Sequence, residues 1–379
     1  MIPDLAERFA SPARGPRTTA RLGIWVGVLF GVCFLTGVWS HWQYSAPGWV
    51  PIGPDPSWLY RVTQGLHVAS GTAAIPLVLV KLWSVYPRLF RLPPRSARAA
   101  VVDAIERGSV AVLVAAGLFQ LTSGVLNIVQ WYPWEFSFRR THEAVAYVAI
   151  GSIVVHVAVK LPVIRDALTG GPADDAESRA SQGPSRRSVL LGAGSASVLA
   201  VLLTVGQSVP FLRRVSVFGV RDGDGPQGLP VNRTARAAGA VEAATDPSFA
   251  LEVRHGDRVR RLTRAELLGL PQRTHRLPIA CVEGWSREAT WTGVAVADLL
   301  ALVGAPAASD VRVRSMQTRG AFATSELPAD FAADPRTLLA LEVNGETLDL
   351  DHGFPCRIIA PNRPGVLQTK WVDGLEVRA

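Results

Sequence analysis

Gly108–Gln130 reads GSVAVLVAAGLFQLTSGVLNIVQ, 23 residues without a charge. A helix needs about 20 mostly apolar residues to cross a bilayer, so this stretch is long enough to span alone. Four more stretches qualify on either side of it: Leu22 to Trp39, Val62 to Val80, Ala144 to Val159, and Ser188 to Leu212. Lys160 can snorkel at the end of the fourth. The first is no cleaved leader: its apolar run is too long, no A-x-A site follows, and more spans come after it.

The whole composition agrees with this reading. The chain has 379 residues, enough for roughly two or three domains. Hydrophobic residues make up 48% and charged residues 18%, where a soluble globular chain has about 25% charged. This excludes a disordered protein, a coiled coil and an ordinary single-domain cytosolic enzyme. Three cysteines exclude a disulfide scaffold and a zinc ribbon. The net charge of +8 would suit nucleic acid, but its distribution follows membrane topology.

Lysine and arginine accumulate on the cytoplasmic side of short loops. Arg8, Arg14, Arg17 and Arg21 precede the first span. Lys81, Arg88, Arg91, Arg95, Arg98 and Arg107 lie between the second and third. Lys160, Arg165, Arg179, Arg186 and Arg187 lie between the fourth and fifth. The other two loops hold only Arg61, Arg139 and Arg140. The expectation is a multi-pass protein of a bacterial plasma membrane. Its N-terminus is cytoplasmic, and everything after Leu212 lies outside. Trp39, Trp42, Trp49, Trp58, Trp131 and Trp134 fall at the outer ends, as an interfacial belt does.

The expected organisation is a cytoplasmic terminus at 1–21 and a four-helix membrane domain at 22–165. A cytoplasmic linker follows at 166–187, then the fifth span at 188–212, an extended Gly/Pro-rich tether at 213–248, and a compact α+β domain at 249–379. In that last domain short β-rich runs recur at Phe249–Arg254, Leu277–Val282, Val311–Ser315, Leu339–Val343 and Cys356–Ala360. Thr263 with Glu266 three residues on makes a capping box. A second helix is expected at Val296–Val303, closed by Gly304.

An imidazole inside a membrane is costly, faces the bundle interior and usually has a task. His142 and His156 are 14 residues apart on the fourth span, 40° short of four turns and about 21 Å along the axis. His67 sits near the outer end of the second span, and by depth it matches His142. Two histidines from facing helices can ligate one haem iron axially, which makes His67 and His142 the expected haem ligands. His156 has no histidine partner; it stands either for a second haem or for a hydrogen bond to a quinone or a propionate. His41 reads as interfacial. The plainer reading of all of them is interhelical hydrogen bonding.

Gly65-Leu66-His67, Thr141-His142 and Val155-His156-Val157-Ala158-Val159-Lys160-Leu161-Pro162 resemble the membrane cytochrome b domain fused to bacterial molybdopterin oxidoreductases, over about residues 20–165. Ser185-Arg186-Arg187-Ser188-Val189-Leu190-Leu191, just before the span that leads outside, resembles a twin-arginine export signal. The alternative is two topology-setting arginines.

In the last domain Leu277-Pro278-Ile279-Ala280-Cys281-Val282-Glu283-Gly284-Trp285-Ser286 sets a cysteine at the end of a buried strand, before a tight Gly/Trp loop. A soft thiolate suits a soft or high-valent metal, and the lack of Cys-x-x-Cys argues against zinc. A Cys281–Cys356 disulfide is the alternative. Cys356 also fits as a small hydrophobe, and Cys33 as filling in the first span.

The segment resembles the molybdopterin domain of the sulfite oxidase superfamily. Cys-Val-Glu-Gly-Trp-Ser is most similar to the branch of periplasmic methionine sulfoxide reductase catalytic subunits. The resemblance implies that Cys281 is the protein thiolate on molybdenum. Gly353-Phe354-Pro355-Cys356-Arg357-Ile358-Ile359-Ala360-Pro361 resembles the family's Gly-x-Pro-hydrophobe-Arg strand, and Gly365 with Thr369-Lys370-Trp371 its Gly-rich loop and Lys-Trp pair. It implies that Arg357 and Lys370 hold the pterin and its phosphate, and that Ser315, His352 and Asn232 are further cofactor contacts. Two departures stand out. Glu283-Gly284-Trp285-Ser286 replaces the Ala-Gly-Asn-Arg-Arg that follows the cysteine in sulfite oxidases, and the sequence ends at Ala379, without the dimerisation domain that usually follows there.

The expected fold is therefore a five-helix membrane bundle followed by a soluble α+β domain of the sulfite oxidase type. The expected function is a molybdopterin-dependent oxidoreductase with a molybdenum–molybdopterin cofactor and haem b. Electrons would pass between the quinone pool, or another membrane carrier, and an exterior centre that transfers an oxygen atom to or from a small S- or N-oxide. Lipid is the expected surroundings, and nucleic acid is no partner. The alternative is a membrane-anchored binding or assembly protein with a cofactor-free domain.

Overall fold

A computed structural model describes residues 12–87, 96–169, 184–219 and 225–378. Most of the linker read at 166–187, several of the counted arginines (Arg8, Arg88, Arg91, Arg95, Arg179) and part of the tether lie outside the described residues. The chain divides into two compact units. One holds Met1–Trp39, Leu66–Gly206 and Arg214–Phe218, and the other holds Ser40–Gly65, Gln207–Arg213 and Gly219–Ala379.

Five helices are α1 (Pro16–Trp42), α2 (Leu59–Val85), α3 (Ala97–Ile128), α4 (Phe138–Thr169) and α5 (Arg186–Thr204), and they build the first unit apart from α1 beyond Trp39 and α2 before Leu66, which belong to the second. All five are long and apolar enough to cross a membrane. Their outward faces carry Leu35, Val154, Val159 and Leu191, each at least 60% exposed. Water would penalise such a surface, whereas lipid tails solvate it. Between the helices, small polar groups meet instead: Thr19 with Ser84 at 3.2 Å, and the Ser197 hydroxyl donating to the Ala73 carbonyl at 2.8 Å. In α5 the first helical residues are Arg186 and Arg187, capped by Ser185, whose hydroxyl accepts from the Ser188 N–H at 3.1 Å.

The second unit is β-rich. One sheet runs β2 (Arg258–Thr263), β1 (Ala250–His255), β10 (Val372–Val377), β5 (Val311–Ser315), β6 (Thr324–Leu327). β1 and β10 pair in parallel, so the end of the chain closes onto the first strand of the domain. The other sheet runs β3 (Arg273–Ala280), β4 (Ser286–Ala295), β7 (Leu338–Val343), β8 (Glu346–Thr347), with β9 (Arg357–Ile359) also on β7. β7 is central and apolar on both faces, the composition of a strand covered on both sides. β2 is an edge, and its Arg258, Arg260 and Arg261 face water, a charged edge that resists pairing with another chain. Leu251, Val253, Val313 and Val372 bury against Leu299 and Phe331, from α9 (Val296–Ala301) and α10 (Ala329–Ala333). Ile279, Trp291, Leu338 and Ile359 form a second cluster.

Most of the β-rich runs read from the sequence are strands to within a few residues, and the capping box forms on α8 (Arg264–Gly269). Two segments differ from the expectation. Residues 225–248, read as an extended tether, contain α6 (Ala235–Ala238) and α7 (Val241–Thr245). Ala235, Ala238, Ala240 and Ala244 bury against Trp371: side chains this small let a Gly/Ala-rich segment pack where its composition suggests a linker. Residues 40–61, read as a loop between spans, also fold with this unit. Asn362 accepts from the Tyr60 N–H at 2.8 Å and donates to the Gly53 carbonyl at 2.8 Å, and Arg336 pairs with Asp55 at 2.9 Å.

Candidate functional site

In the β-rich unit, the hairpin of β3 and β4 turns through five residues, Cys281 to Trp285, between the paired Ala280 and Ser286. The Cys281 N–H donates to Trp285 O at 2.9 Å and the Gly284 N–H to Cys281 O at 3.1 Å. Gly284 has φ +90°, a left-handed backbone that a side chain would strain. The Trp285 indole N–H donates to the Glu283 carboxylate at 3.1 Å, and both side chains are buried. The turn thus presents Cys281 from a fixed backbone. All three cysteines are thiols. Cys281 and Cys356 belong to different core clusters, so the alternative of a disulfide between them does not form. Burial pushes the Cys356 thiol up, and its Sγ meets the Val372 carbonyl at 3.3 Å: it packs as a small hydrophobe.

Cys281 lines a cleft of about 350 Å³, counting its open mouth, together with Asn232, Trp285, His352, Arg357 and Lys370. Five residues singled out in the sequence therefore meet. Ser315 does not line the cleft: its hydroxyl donates to the Lys370 carbonyl at 2.7 Å and so holds the backbone of the lysine. Leu229, Pro230, Ile279 and Gly365 line the cleft as well. Leu229 and Pro230 were missed because the composition of their segment reads as tether.

The cations are the unusual feature. Arg357 is 2% exposed; its two terminal nitrogens donate to the carbonyls of His352 and Gln368, each at 3.0 Å. Its Nε has no hydrogen-bond partner. Lys370 Nζ donates to the carbonyls of Arg233 at 2.7 Å and Asp351 at 2.8 Å. Indole rings face both cations: Trp291 at 5.1 Å from Arg357 and Trp371 at 4.8 Å from Lys370. Among the described residues no carboxylate forms an ion pair with either. Burial accordingly pushes Arg357 down to about 9 and Lys370 down to about 7. A buried cation without a counter-ion is strongly unfavourable, and an anion in the cleft would offset that cost.

Gly353 makes the approach of the two cations possible. At φ +111°, a Cβ there would meet the Cβ atoms of Arg357 and Lys370, each at 3.1 Å. The preceding residue, His352, is held neutral: burial pushes it down to about 4. Its Nε2 lies 2.7 Å from the Pro226 carbonyl, which can only accept, so Nε2 carries the proton and Nδ1 is the bare acceptor.

In the helical unit, His67 and His142 lie with ring centres 6.3 Å apart and planes at 69°. His67 Nδ1 is 2.9 Å from the Cys33 carbonyl, so it donates there. The Ser123 hydroxyl lies 2.9 Å from His142 Nδ1 and 3.4 Å from the Gln120 carbonyl. His67 therefore carries its proton on Nδ1 and leaves Nε2 as the acceptor, and Ser123 holds His142 at Nδ1. His156 is half-buried, and among the described residues no side chain hydrogen-bonds its ring.

One comparison with known proteins falls on the β-rich unit. Residues 238–379 match the family described as oxidoreductase molybdopterin binding domain. Sulfite oxidase of Arabidopsis thaliana is 35% identical over 105 residues, 24% of this chain and 27% of that protein. The putative protein-methionine-sulfoxide reductase subunit YedZ1 of Azospira oryzae is 34% identical over 115 residues, 30% of this chain and 43% of that protein. The uncharacterized oxidoreductase YuiH of Bacillus subtilis is 29% identical over 116 residues, 30% of this chain and 57% of that protein. The chain thus spans between about a quarter and somewhat over half of the length of these relatives. Its last third is an oxidoreductase molybdopterin-binding domain of the sulfite oxidase superfamily. The residues present fit the cofactor: an acidic pterin phosphate supplies the charge that Arg357 and Lys370 lack, and Arg357 Nε is a donor still to be used.

Proposed function

We propose that this chain is a membrane-bound molybdopterin-dependent oxidoreductase. It exchanges electrons between a b-type haem in the helical unit and a molybdenum centre in the β-rich unit, and it acts on a small S- or N-oxide. The observation that carries this reading is the meeting of Cys281 with the buried Arg357 and the half-buried Lys370, neither paired with a carboxylate among the described residues, around one cleft. Cys281 would be the thiolate ligand of the metal. Arg357 and Lys370 would hold the pterin phosphate, His352 would accept a hydrogen bond at Nδ1, and Asn232 would close the opposite wall. When bound, the cofactor supplies a two-electron couple and a centre that accepts or yields an oxygen atom. Trp285 and Ile279 keep that part of the cleft apolar.

Two observations support an oxide over sulfite. Where the resemblance to sulfite oxidases implies the arginines that hold sulfite, Trp285 and Ser286 stand instead. One relative is named as a subunit of a methionine-sulfoxide reductase. Others are named sulfite oxidases, so the comparison by itself leaves both chemistries open. We favour the reductive direction.

For the haem, the hydrogen bonds at Nδ1 of His67 and His142 support the reading. A metal-bound imidazole typically donates its other N–H to a carbonyl, carboxylate or water; His67 Nδ1 donates to the Cys33 carbonyl, and His142 Nδ1 is held by the Ser123 hydroxyl. His67 and His142, with ring centres 6.3 Å apart, would hold the haem iron from two helices of this unit. The electron source would be a quinone or another membrane carrier. Arg186 and Arg187 would direct export of the β-rich unit to the outer side after its cofactor is inserted in the cytoplasm. His156 stays assigned to a second haem or to a quinone or propionate contact.

The test is one preparation from membranes. Its reduced-minus-oxidised spectrum should show b-type absorbance, and elemental analysis should find about one molybdenum per chain. A preparation without molybdenum removes the enzyme assignment. One without b-type absorbance removes the haem. Turnover on sulfite but not on sulfoxides or N-oxides would reverse the substrate class.

A further inference from the structure

The Cys281–Trp285 turn is not held by its own hairpin alone. Its internal bonds engage the carbonyls of Cys281 and Trp285. The carbonyls of Val282 and Gly284 are served from far along the chain. Gln64, on α2, donates its side-chain amide to Val282 O at 3.0 Å, and the Ser208 hydroxyl donates to Gly284 O. Gln64 is 6% exposed. Both segments are themselves anchored within this unit. The buried Arg287 donates to Gln207 O at 3.0 Å and to Gln207 Oε1 at 2.7 Å, and Asn362 bonds the Tyr60 N–H.

One such bond contributes about 1 kcal/mol to stability. That is too little to matter to a domain with two buried clusters of its own. Its consequence is local. Two donors on alternate carbonyls fix the peptide planes that follow the thiol. Hydrogen bonds and dipoles around a metal-bound thiolate tune its potential.

We propose that Gln64 and Ser208 are positioning residues for Cys281: they fix the orientation of its thiolate and raise the potential of the metal it holds. The proposal rests on the reading of Cys281 as the molybdenum ligand. Full-length protein carrying Gln64→Leu, Ser208→Ala or Ser208→Thr is compared with wild type and with Cys281→Ser, reading molybdenum content, the Mo(V) paramagnetic resonance spectrum, the midpoint potential and turnover. Gln64→Leu and Ser208→Ala should keep their molybdenum, shift the Mo(V) spectrum and lower the potential. Their kcat should fall about fivefold, the rate equivalent of one such bond, with KM unchanged. Ser208→Thr retains a hydroxyl donor and should restore the wild-type spectrum, so the serine pair decides the question even if Gln64→Leu does not fold. Loaded Ser208→Ala and Gln64→Leu protein with a wild-type spectrum and potential would overturn the proposal, leaving a merely structural role. A Cys281→Ser spectrum equal to wild type would overturn the thiolate reading itself, and this proposal with it.

Discussion

The two units break opposite rules. The helical unit turns Leu35, Val154 and Leu191 outward and keeps polar groups few; its exceptions are His67 and His142, each fixed by a hydrogen bond at Nδ1. The β-rich unit buries its apolar residues and exposes most of its charges; Arg287, Arg357 and Arg363 are buried exceptions, and of these Arg357 meets the half-buried Lys370 at the cleft. A solvent sets what a unit can tolerate cheaply. The proposed function assigns the work of each unit to groups kept against that preference, the histidines in the apolar bundle and the cations in the cleft.

The sharpest way to break this comparison is to empty each unit separately. Cys281→Ser should reduce turnover to background while b-type absorbance and membrane location stay unchanged. Retained turnover with normal molybdenum would sink the assignment of Cys281. Conversely, His67→Ala and His142→Ala should each lose most of the b-type absorbance while molybdenum content persists. An unchanged reduced spectrum in both would mean that the histidine pair only joins helices. His156→Ala discriminates further: partial loss of absorbance indicates a second haem.

Export is the next largest effect. Arg186→Lys with Arg187→Lys preserves charge, so the first four spans should keep their topology, while a receptor-read signal fails and the β-rich unit remains inside. Protease added to spheroplasts reads this. Equal digestion in wild type and variant means that the two arginines set topology only.

The buried cations give a pH-dependent contrast. Lys370 ordinarily titrates near 10.5 and is pushed down to about 7 by burial. Between these values the cofactor-free fold holds it neutral while the unfolded chain holds it charged, so this group makes the cofactor-free unit more stable as pH rises from about 7 towards 10. A bound phosphate restores the charge, and binding then takes up a proton. The stabilisation that the cofactor confers should therefore shrink over that window, measured as the difference in Tm between loaded and cofactor-free protein. Lys370→Met should abolish the trend and leave the cofactor-free unit at least as stable as wild type. The smallest effect is a control: Thr263→Ala removes the capping box of α8 and should cost about 1 kcal/mol, without altering absorbance or molybdenum content.

Much of the molecule was legible because its signals are local. Five apolar runs of bilayer length, the Thr263–Glu266 box and the runs that became β1, β3, β5, β7 and β9 need only neighbours in sequence. β2 and β4 were not legible. β2 is too charged to look like a strand, being an edge, and β4, with Glu288 exposed and Arg287 buried against Gln207, reads as loop until its partners are known.

The sequence by itself determined which groups are chemically able: a thiol in a tight turn, two cations in β-strand and loop contexts, histidines inside apolar helices. Only the tertiary structure decided which of them meet. It brought Asn232 to Cys281 by folding an apparent tether, turned Ser315 away to hold Lys370, and tied Gln64 to the peptide after the thiol from 218 residues away. The physical reason is range. Propensity, periodicity and capping act over a few residues, whereas the burial of a cation beside an indole, or of an amide against one carbonyl, depends on packing that no local window contains.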